Sequence, residues 1–464
     1  MEKDRKVCIA FAVGCPRNQM DTAWLSSYFE ANDWKITHNA AKADMLVVAT
    51  CGFASHIEAE SIRLLSLLEK KRRSDSRMVV VGCLAGINPD YVLSQFDATV
   101  IRPADIHQLD EVIHATVPLK NVTPVNCIEP RLMAARACWT TREANPTMST
   151  LALIKRRTKA TLCSLLSRIS SERFALRTAR RLCRRSKGAS ADPTYYIRVA
   201  RGCLEDCTYC AIRFAAGVLR SKPLDDVLAE FDRGLAQKHR DFEILAEDVG
   251  SYGLDIGSNC IELFEGLFSR PGSHKFVITD VNVRYLIRFA PALSDLLARH
   301  ADRIRRLKIP VQSGSDRILT RMKRCYTRTE AKAALSELRD KAPTLPTETH
   351  VLVGFPGETD QDFEDTLDLL RAARFDYIQA YRYTDRPGTA AAKMTDKIPV
   401  RIQRERIQRL CDEFPQARGS AIEDHEADHD GMPARNPERN PLSQPVYAFD
   451  TQARQNITTS GGLH

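Results

Sequence analysis

Three cysteines lie close together in the stretch RGCLEDCTYC, as Cys203, Cys207 and Cys210. Cysteine thiolates are the usual protein ligands of iron-sulfur clusters, and electron carriers bind all four irons of a [4Fe-4S] cluster with them. This run supplies three thiolates, and no other His or Cys follows until His239. The spacing therefore predicts a [4Fe-4S] cluster whose fourth iron is open to an exchangeable ligand. The alternatives are a zinc knuckle or cysteines without a ligand role.

Three more cysteines each come at the end of an apolar run that predicts a β-strand. Cys15 follows KVCIAFAV, Cys51 follows ADMLVVAT, and Cys83 ends RMVVVGC. The carboxyl ends of parallel strands meet at one edge of a sheet, where such folds build their sites. Each cysteine alone is more typical of a small buried side chain. Their equivalent positions predict a second three-cysteine cluster, and the other eight cysteines show no ligand spacing.

The elements around these cysteines form two α/β domains. Residues 1–130 alternate strands with helices, predicted from Asp21 to Asn32 and from Ser55 to Lys71, which is typical of a parallel sheet. Residues 194–414 alternate in the manner of a parallel barrel, whose sites lie at the carboxyl ends of the strands. The six predicted strands are YIRVARG, FEILAED, KFVITDVN, LKIPVQS, ETHVLVGF and YIQAYRY.

The motifs resemble those of the radical SAM methylthiotransferase family. GCPRNQMD, ATCGFASHIEAES and VGCLAG match its amino-terminal pattern. RGCLEDCTYC, IPVQSGSDRILTRMKRCYT, VLVGFPGETDQDFEDT and RPGTAAAK match its catalytic pattern. The resemblance covers most of residues 1–130 and 194–414. It implies an amino-terminal parallel-sheet α/β domain, a partial (β/α)6 radical SAM barrel, and a transferase with two [4Fe-4S] clusters.

The resemblance also implies the chemistry. S-adenosylmethionine (SAM) occupies the open iron of the cluster on Cys203, Cys207 and Cys210, and its reduction yields a 5′-deoxyadenosyl radical. The other cluster carries sulfur that a second SAM methylates before transfer. A radical suits replacement of an unactivated C–H bond by C–SCH3, because that hydrogen is not acidic. A flavodoxin- or ferredoxin-type electron donor and a sulfur source are then required as partners.

Further residues at predicted strand ends are candidates for binding SAM. Glu247 and Asp248 end the second barrel strand in LAEDVGSYG, where a carboxylate suits the methionyl ammonium. The alternative for each is a helix cap or a solvated acid. Glycine in VLVGF permits close backbone approach to the adenosyl group, or else a plain turn. The remaining candidates are Tyr209, Gln312, Ser313, Arg324, Gly354 and Phe355.

The net charge of +9 is concentrated in an insert between the two domains, residues 131–193. Its residues 131–190 hold 15 Lys or Arg against two Glu, a local net charge of +13. Leu162, Leu165 and Ile169 follow helical spacing, with basic residues on the opposite face. This pattern indicates a linker helix packed on one domain, a phosphate-binding patch for RNA, or association with a membrane surface.

The substrate stays open at the level of sequence. TCGF with AES is closest to ribosomal-protein-directed relatives, whereas AEDVGSYGLDIG is closest to those acting on threonylcarbamoyladenosine in tRNA. Family members usually end in a small β-barrel that grips the substrate, but residues 415–464 are polar and Pro-rich, which predicts disorder. Three functions remain: methylthiolation of tRNA or protein with the basic insert replacing that barrel, sulfur insertion or methylthiolation of a small molecule, and a non-catalytic iron-sulfur scaffold.

The cellular location is predicted from what the sequence does not contain. Fourteen cysteines in 464 residues are too few for a disulfide scaffold. Nothing at the amino terminus resembles a secretory signal, and no stretch approaches 20 apolar residues. We therefore expect a cytoplasmic protein without a transmembrane segment.

Overall fold

The computed structural model of the chain describes residues 5–11, 15–128, 194–419 and 447–448. The basic insert and most of residues 415–464 lie outside the described residues, so the hypotheses about them stay predictions. Among the described residues, every helix is too short or too polar to cross a bilayer.

The first domain is an α/β layer on a parallel sheet. Its strands are β1 (Lys6–Phe11), β2 (Lys35–Ile36), β3 (Met45–Thr50), β4 (Arg77–Gly82) and β5 (Thr99–Ile101). Its helices are α1 (Pro16–Ala31), α2 (Ser55–Lys71), α3 (Cys83–Ile87), α4 (Pro89–Gln95) and α5 (Leu109–Ile113). The order is β1-β3-β4-β5 with parallel neighbours, and β2 also pairs with β1. All six residues of β3 are buried, because the sheet is covered on both faces.

Seven parallel strands form the sheet of the second domain. They are β6 (Tyr195–Arg198), β9 (Asp241–Leu245), β10 (Lys275–Ile278), β11 (Ile304–Lys308), β12 (Thr347–Val353), β13 (Tyr377–Arg382) and β14 (Ala417–Gly419). The neighbours follow chain order, and a separate ribbon pairs β7 (Ala200–Arg201) with β8 (Arg220–Ser221). No pairing in the described part of the chain joins β6 to β14, so the sheet is open there. The predicted fold class, a partial parallel barrel after a parallel-sheet α/β domain, is confirmed.

Helices cover the outer face of this barrel. They are α6 (Ile212–Ala216), α7 (Leu224–Ala236), α8 (Cys260–Phe268), α9 (Val283–Arg288), α10 (Ala292–Arg299), α11 (Asp316–Arg321), α12 (Arg328–Lys341), α13 (Asp360–Ala373) and α14 (Val400–Glu413). On β12 the odd-numbered residues are buried and the even-numbered ones half-buried. The buried set packs beneath the helices, so the other set lines the inner face of the barrel.

The strands near the carboxyl terminus differ from the sequence analysis. It places no strand after Phe414, yet β14 adds a parallel strand to β13. A further strand, β15 (Tyr447–Ala448), pairs antiparallel with β1. Both are only two or three residues long, which is too short to show the alternation that identifies strands in a sequence.

The carboxyl edges of the two sheets adjoin. Helices α3 and α6 are in direct contact at Gly86. A Cβ at this position would lie 2.4 Å from the Cα of Ala215, so only glycine leaves room for the contact. On α1, Asp21 forms ion pairs with Arg198 at 2.6 Å and with Arg201 at 2.5 Å in the barrel. This packing brings α1 and α3 of the first domain against the residues that follow β7 and β9 in the barrel.

Candidate functional site

Six cysteines form two groups at these adjoining edges. We call them the amino-terminal trio (Cys15, Cys51 and Cys83) and the barrel trio (Cys203, Cys207 and Cys210). The barrel trio lies in the loop between β7 and α6. Gly202 begins that loop with φ of 77°, and a Cβ there would lie 2.0 Å from the carbonyl oxygen of Val218. Only glycine allows the chain to turn into the loop.

The thiols of the barrel trio influence one another's ionisation. Burial raises the pKa of Cys203, and the charges of Asp248, Cys210 and Cys207 raise it further. Burial likewise raises the pKa of Cys210, with Cys207 as the next cause. Buried neighbouring thiols lose their protons when they bind a metal, because the metal takes the place of the protons. The donor set therefore fits an iron-sulfur cluster.

Arg324 and Tyr209 lie beside the barrel trio. Nη1 of Arg324 is 3.8 Å from Sγ of Cys207, and its Nη2 donates to the carbonyl of Pro310 at 2.8 Å. Burial raises the pKa of Tyr209, and the charge of Cys207 adds to it. The structure thus places Arg324 against the cluster loop, where its positive charge compensates thiolate charge.

The amino-terminal trio is assembled by three strand ends. Cys15 precedes α1, Cys51 follows β3, and Cys83 is the first residue of α3. Gly82 has φ of 97°, and a Cβ there would lie 2.2 Å from the carbonyl oxygen of Thr50. Glycine at this position lets β4 turn directly into α3 and places Cys83 beside the end of β3.

The thiols of this trio are also electrostatic neighbours. Burial, followed by the charge of Cys15, raises the pKa of Cys51 to about 12. Burial raises the pKa of Cys83 as well, followed by the charges of Cys51 and Cys15. The three cysteines, which are far apart in sequence, therefore lie close enough to affect one another's pKa, and their role as cluster ligands stays a prediction.

The thiols of the two trios do not converge on one point. Within the described ranges, no three His, Cys, Asp or Glu side chains converge as the ligands of one metal ion do. Each thiolate of a [4Fe-4S] cluster binds its own iron, so its ligands need not share one centre.

Glu247 connects the two trios. The N–H of Gly202, next to Cys203, donates to Oε2 of Glu247 at 2.8 Å. The other carboxylate oxygen lies 3.8 Å from Nε of Arg17, two residues after Cys15. The sequence analysis proposes Glu247 as a ligand of the methionyl ammonium, whereas its contacts in the structure join the two cysteine loops.

Asp248 caps the turn after β9. It is buried, and its Oδ1 accepts from the N–H groups of Gly250 at 3.0 Å and Asn282 at 3.2 Å. Burial raises its pKa to about 7. These contacts are those of the capping alternative, although Asp248 also lies close enough to Cys203 to affect its pKa.

Gln312 and Ser313 extend β11 toward its neighbours. Gln312 has φ of 65°, donates to the carbonyl of His350 at 2.8 Å, and accepts from the N–H of Leu352 at 2.9 Å. The hydroxyl of Ser313 is buried and lies 3.2 Å from that of Thr366 on α13. Both residues fix the end of β11, and a contact with SAM stays a prediction.

Gly354 and Phe355 follow β12. Gly354 has φ of 76°, and a Cβ there would lie 2.3 Å from Cγ of Gln403 on α14. This conformation is that of the turn alternative, and an approach to the adenosyl group stays a prediction. Phe355 is fully buried, and its ring centroid lies 5.5 Å from that of Tyr383.

The sequence analysis missed two arginines at this junction. Arg17 lies in GCPRNQMD, and Arg386 begins RPGTAAAK. Each reaches into the opposite domain, where Arg17 donates to the carbonyl of Ala246 and Arg386 to that of Gly52. Their presence inside the family motifs is the one signal that singles them out in the sequence.

Comparisons with known proteins identify the family. Residues 197–370 match the Radical SAM superfamily, and residues 6–101 match the Uncharacterized protein family UPF0004. A probable threonylcarbamoyladenosine tRNA methylthiotransferase from Pyrococcus abyssi is 28% identical over 400 residues, covering 86% of this chain and 81% of that protein. A ribosomal protein uS12 methylthiotransferase from Desulforamulus reducens is 27% identical, covering 86% and 80%. The chain belongs to the radical SAM methylthiotransferase family.

This methylthiotransferase shares its fold with a solved radical SAM enzyme. The radical SAM methyltransferase TsrM from Kitasatospora setae, with cobalamin and a [4Fe-4S] cluster bound, aligns with a TM-score of 0.55 at 14% identity. The alignment covers 84% of this chain and 77% of that one. SAM and [4Fe-4S] clusters, the predicted cofactors, are those of the methylthiotransferase family.

Proposed function

We propose that this methylthiotransferase replaces a C–H bond by C–SCH3 on a tRNA base or a protein residue, with one [4Fe-4S] cluster on each trio. The observation that supports it most is the link through Glu247, which bonds Gly202 beside the barrel trio and pairs with Arg17 beside the other trio. When bound, clusters with an open iron supply the electron that cleaves SAM and the site that carries the transferable sulfur.

The residues around the barrel trio orient this site and exclude water from it. Arg324 is buried and contacts Cys207. Phe355 and Met322 belong to a buried apolar group against which Tyr209 packs. This apolar group excludes water from the side of the barrel trio. A reactive intermediate formed there is protected from quenching by solvent and reacts with the substrate instead.

The loop after Cys51 faces the inner side of the barrel. Phe53 is 53% exposed, and its ring centroid lies 5.7 Å from that of Tyr381 on β13. Tyr381 in turn lies 5.4 Å from the ring of His350 on β12. A substrate that enters the barrel between these side chains passes next to the amino-terminal trio, where sulfur would be transferred.

The relatives divide the substrate question into two testable arms. Those from Pyrococcus abyssi and Desulforamulus reducens are named for a tRNA nucleoside and for ribosomal protein uS12. We expect cells that lack this chain to lose a methylthio group from one of these two molecules. Mass spectrometry of total tRNA nucleosides and of ribosomal proteins measures both at once. Unchanged tRNA and protein in those cells would contradict the proposal and favour a small-molecule substrate.

The enzyme activity is tested with purified protein. Reconstituted protein with SAM and a strong reductant should release 5′-deoxyadenosine and should also methylate its bound sulfur. A non-catalytic scaffold would form neither product. Methylthiolated substrate formed by a protein that binds iron only at the barrel trio would contradict the role of the second cluster.

A further inference from the structure

Arg17 carries a positive charge from the first domain into the barrel. Its Nη1 donates to the carbonyl of Ala246 just after β9. The guanidinium lies 3.8 Å from Glu247 and 3.7 Å from Asp280, and 24% of its side chain is exposed. Because Arg17 follows Cys15 by two residues, these contacts hold the Cys15 loop against the end of β9.

Arg386 extends in the opposite direction, from the barrel into the first domain. From the loop after β13 it donates to the carbonyl of Gly52 at 2.5 Å and to Oε2 of Glu58 on α2. Its side chain is only 7% exposed, and that of Glu58 12%. Gly52 is the residue after Cys51, so Arg386 holds the second cysteine loop from the barrel side.

Both arginines adjoin cysteines of the amino-terminal trio, one along the chain and the other through a hydrogen bond. Arg17 is two residues after Cys15, and Arg386 bonds the carbonyl of Gly52, the residue after Cys51. The Nε–H of Arg386 has no acceptor within the described residues, so one buried donor is not used by that part of the protein.

We propose that Arg17 and Arg386 are positioning residues of the amino-terminal trio that also raise the reduction potential of the cluster bound there. Reduction adds a negative charge to a cluster, and nearby buried cations stabilise that charge. Net charge and hydrogen bonds are known to set iron-sulfur potentials. The inference rests on the proposed function, because it needs a cluster on this trio.

The test isolates this cluster in the full chain. All three cysteines of the barrel trio are changed to alanine, and the potential of the remaining cluster is measured by redox titration followed by EPR. In this parent, Arg386→Gln and Arg17→Gln should each shift the potential to a more negative value at unchanged iron content. Arg371→Gln, an exposed arginine on α13 that pairs with Asp368 and Glu413, is the control and should cause no shift.

Lysine variants separate charge from position. Arg386→Lys and Arg17→Lys keep the charge but lose the planar fork that bonds two acceptors. They should retain the potential of the parent, while amide exchange at residues 51–53 for Arg386→Lys, and 15–19 for Arg17→Lys, becomes faster. If the glutamine variants do not fold, the lysine variants alone test the proposal. An amide exchange rate in the lysine variants equal to that of the parent would overturn the positioning role.

The outcomes distinguish the two proposals. Glutamine variants with full iron content and the potential of the parent would overturn the inference and leave the proposed function intact. A parent that binds no iron at the amino-terminal trio would overturn both.

Discussion

Substitution of a single cysteine should remove only the cluster that this cysteine binds. Cys207 and Cys51 lie in different trios, so removing one ligand should empty only its own site. We expect Cys207→Ala and Cys51→Ala each to retain about half of the iron of the wild type. Cys207→Ala should form no 5′-deoxyadenosine, whereas Cys51→Ala should form it without transferring sulfur. Iron analysis with product chromatography checks both, and equal loss at both sites would contradict the division into trios.

One carboxylate fixes the junction between the domains. Burial opposes the ionisation of Asp21, but the charges of Arg198 and Arg201 outweigh it and lower its pKa to about 2. Because an unfolded Asp titrates near 3.9, this stabilisation is present above about pH 4 and is lost as the pH falls toward 2.

Asp21→Asn should therefore destabilise the protein at pH 7 by about 2 kcal/mol, and the difference from wild type should shrink below pH 4. The pH dependence of thermal unfolding, followed by circular dichroism, measures this difference. Asp368→Asn, at an exposed pair on α13, should have little effect at either pH. A deficit for Asp21→Asn that is the same at pH 3 and pH 7 would contradict the ion-pair explanation.

The contact between helices α3 and α6 depends on the absence of a side chain at Gly86. Gly86→Ala would place a Cβ 2.4 Å from the Cα of Ala215, so the helices must separate. Since α3 begins with Cys83, we expect lower iron occupancy of the amino-terminal trio and normal occupancy of the barrel trio.

Gly266→Ala on α8 is the matched control. Its added Cβ would meet methyl groups of Leu228 at 3.2 Å and of Leu224 at 3.6 Å, which are at the ends of flexible side chains. Iron analysis of both variants in the Cys207→Ala background reads the amino-terminal site directly. Full occupancy in Gly86→Ala would show that the helix contact does not position Cys83.

The strands and helices could be predicted from the sequence because their signals are local, and the role of the six thiols as cluster ligands stays a prediction. The runs ending at Cys15, Cys51 and Cys83 are apolar and parallel, so topology alone brings their ends together. The contact of Gly354 with Gln403 could not be predicted, since the two residues are 49 positions apart in the sequence. The contacts of Glu247 and Arg386 were missed for the same reason, because both depend on how two domains pack.

The charge of the basic insert bears on which macromolecule the whole protein binds. Residues 131–190 carry a net charge of +13, and the RNA-binding alternative for them predicts binding that weakens steeply with salt. We expect deletion of residues 131–190 to abolish tRNA binding in filter assays at 50 to 200 mM salt, roughly the range over which phosphate contacts are screened. Formation of 5′-deoxyadenosine without tRNA should survive the deletion. Equal tRNA binding by both proteins would assign the insert a linker role.

Clusters bound by the two trios would lie on either side of the domain junction, with Glu247 between the two cysteine loops. EPR of the fully reduced, reconstituted protein tests this most directly, with the two single-cluster variants as references. Two neighbouring paramagnetic clusters should give a spectrum broadened by their magnetic interaction, with faster spin relaxation than in either variant. A spectrum equal to the sum of the two variants, or a signal from one cluster only, would contradict it.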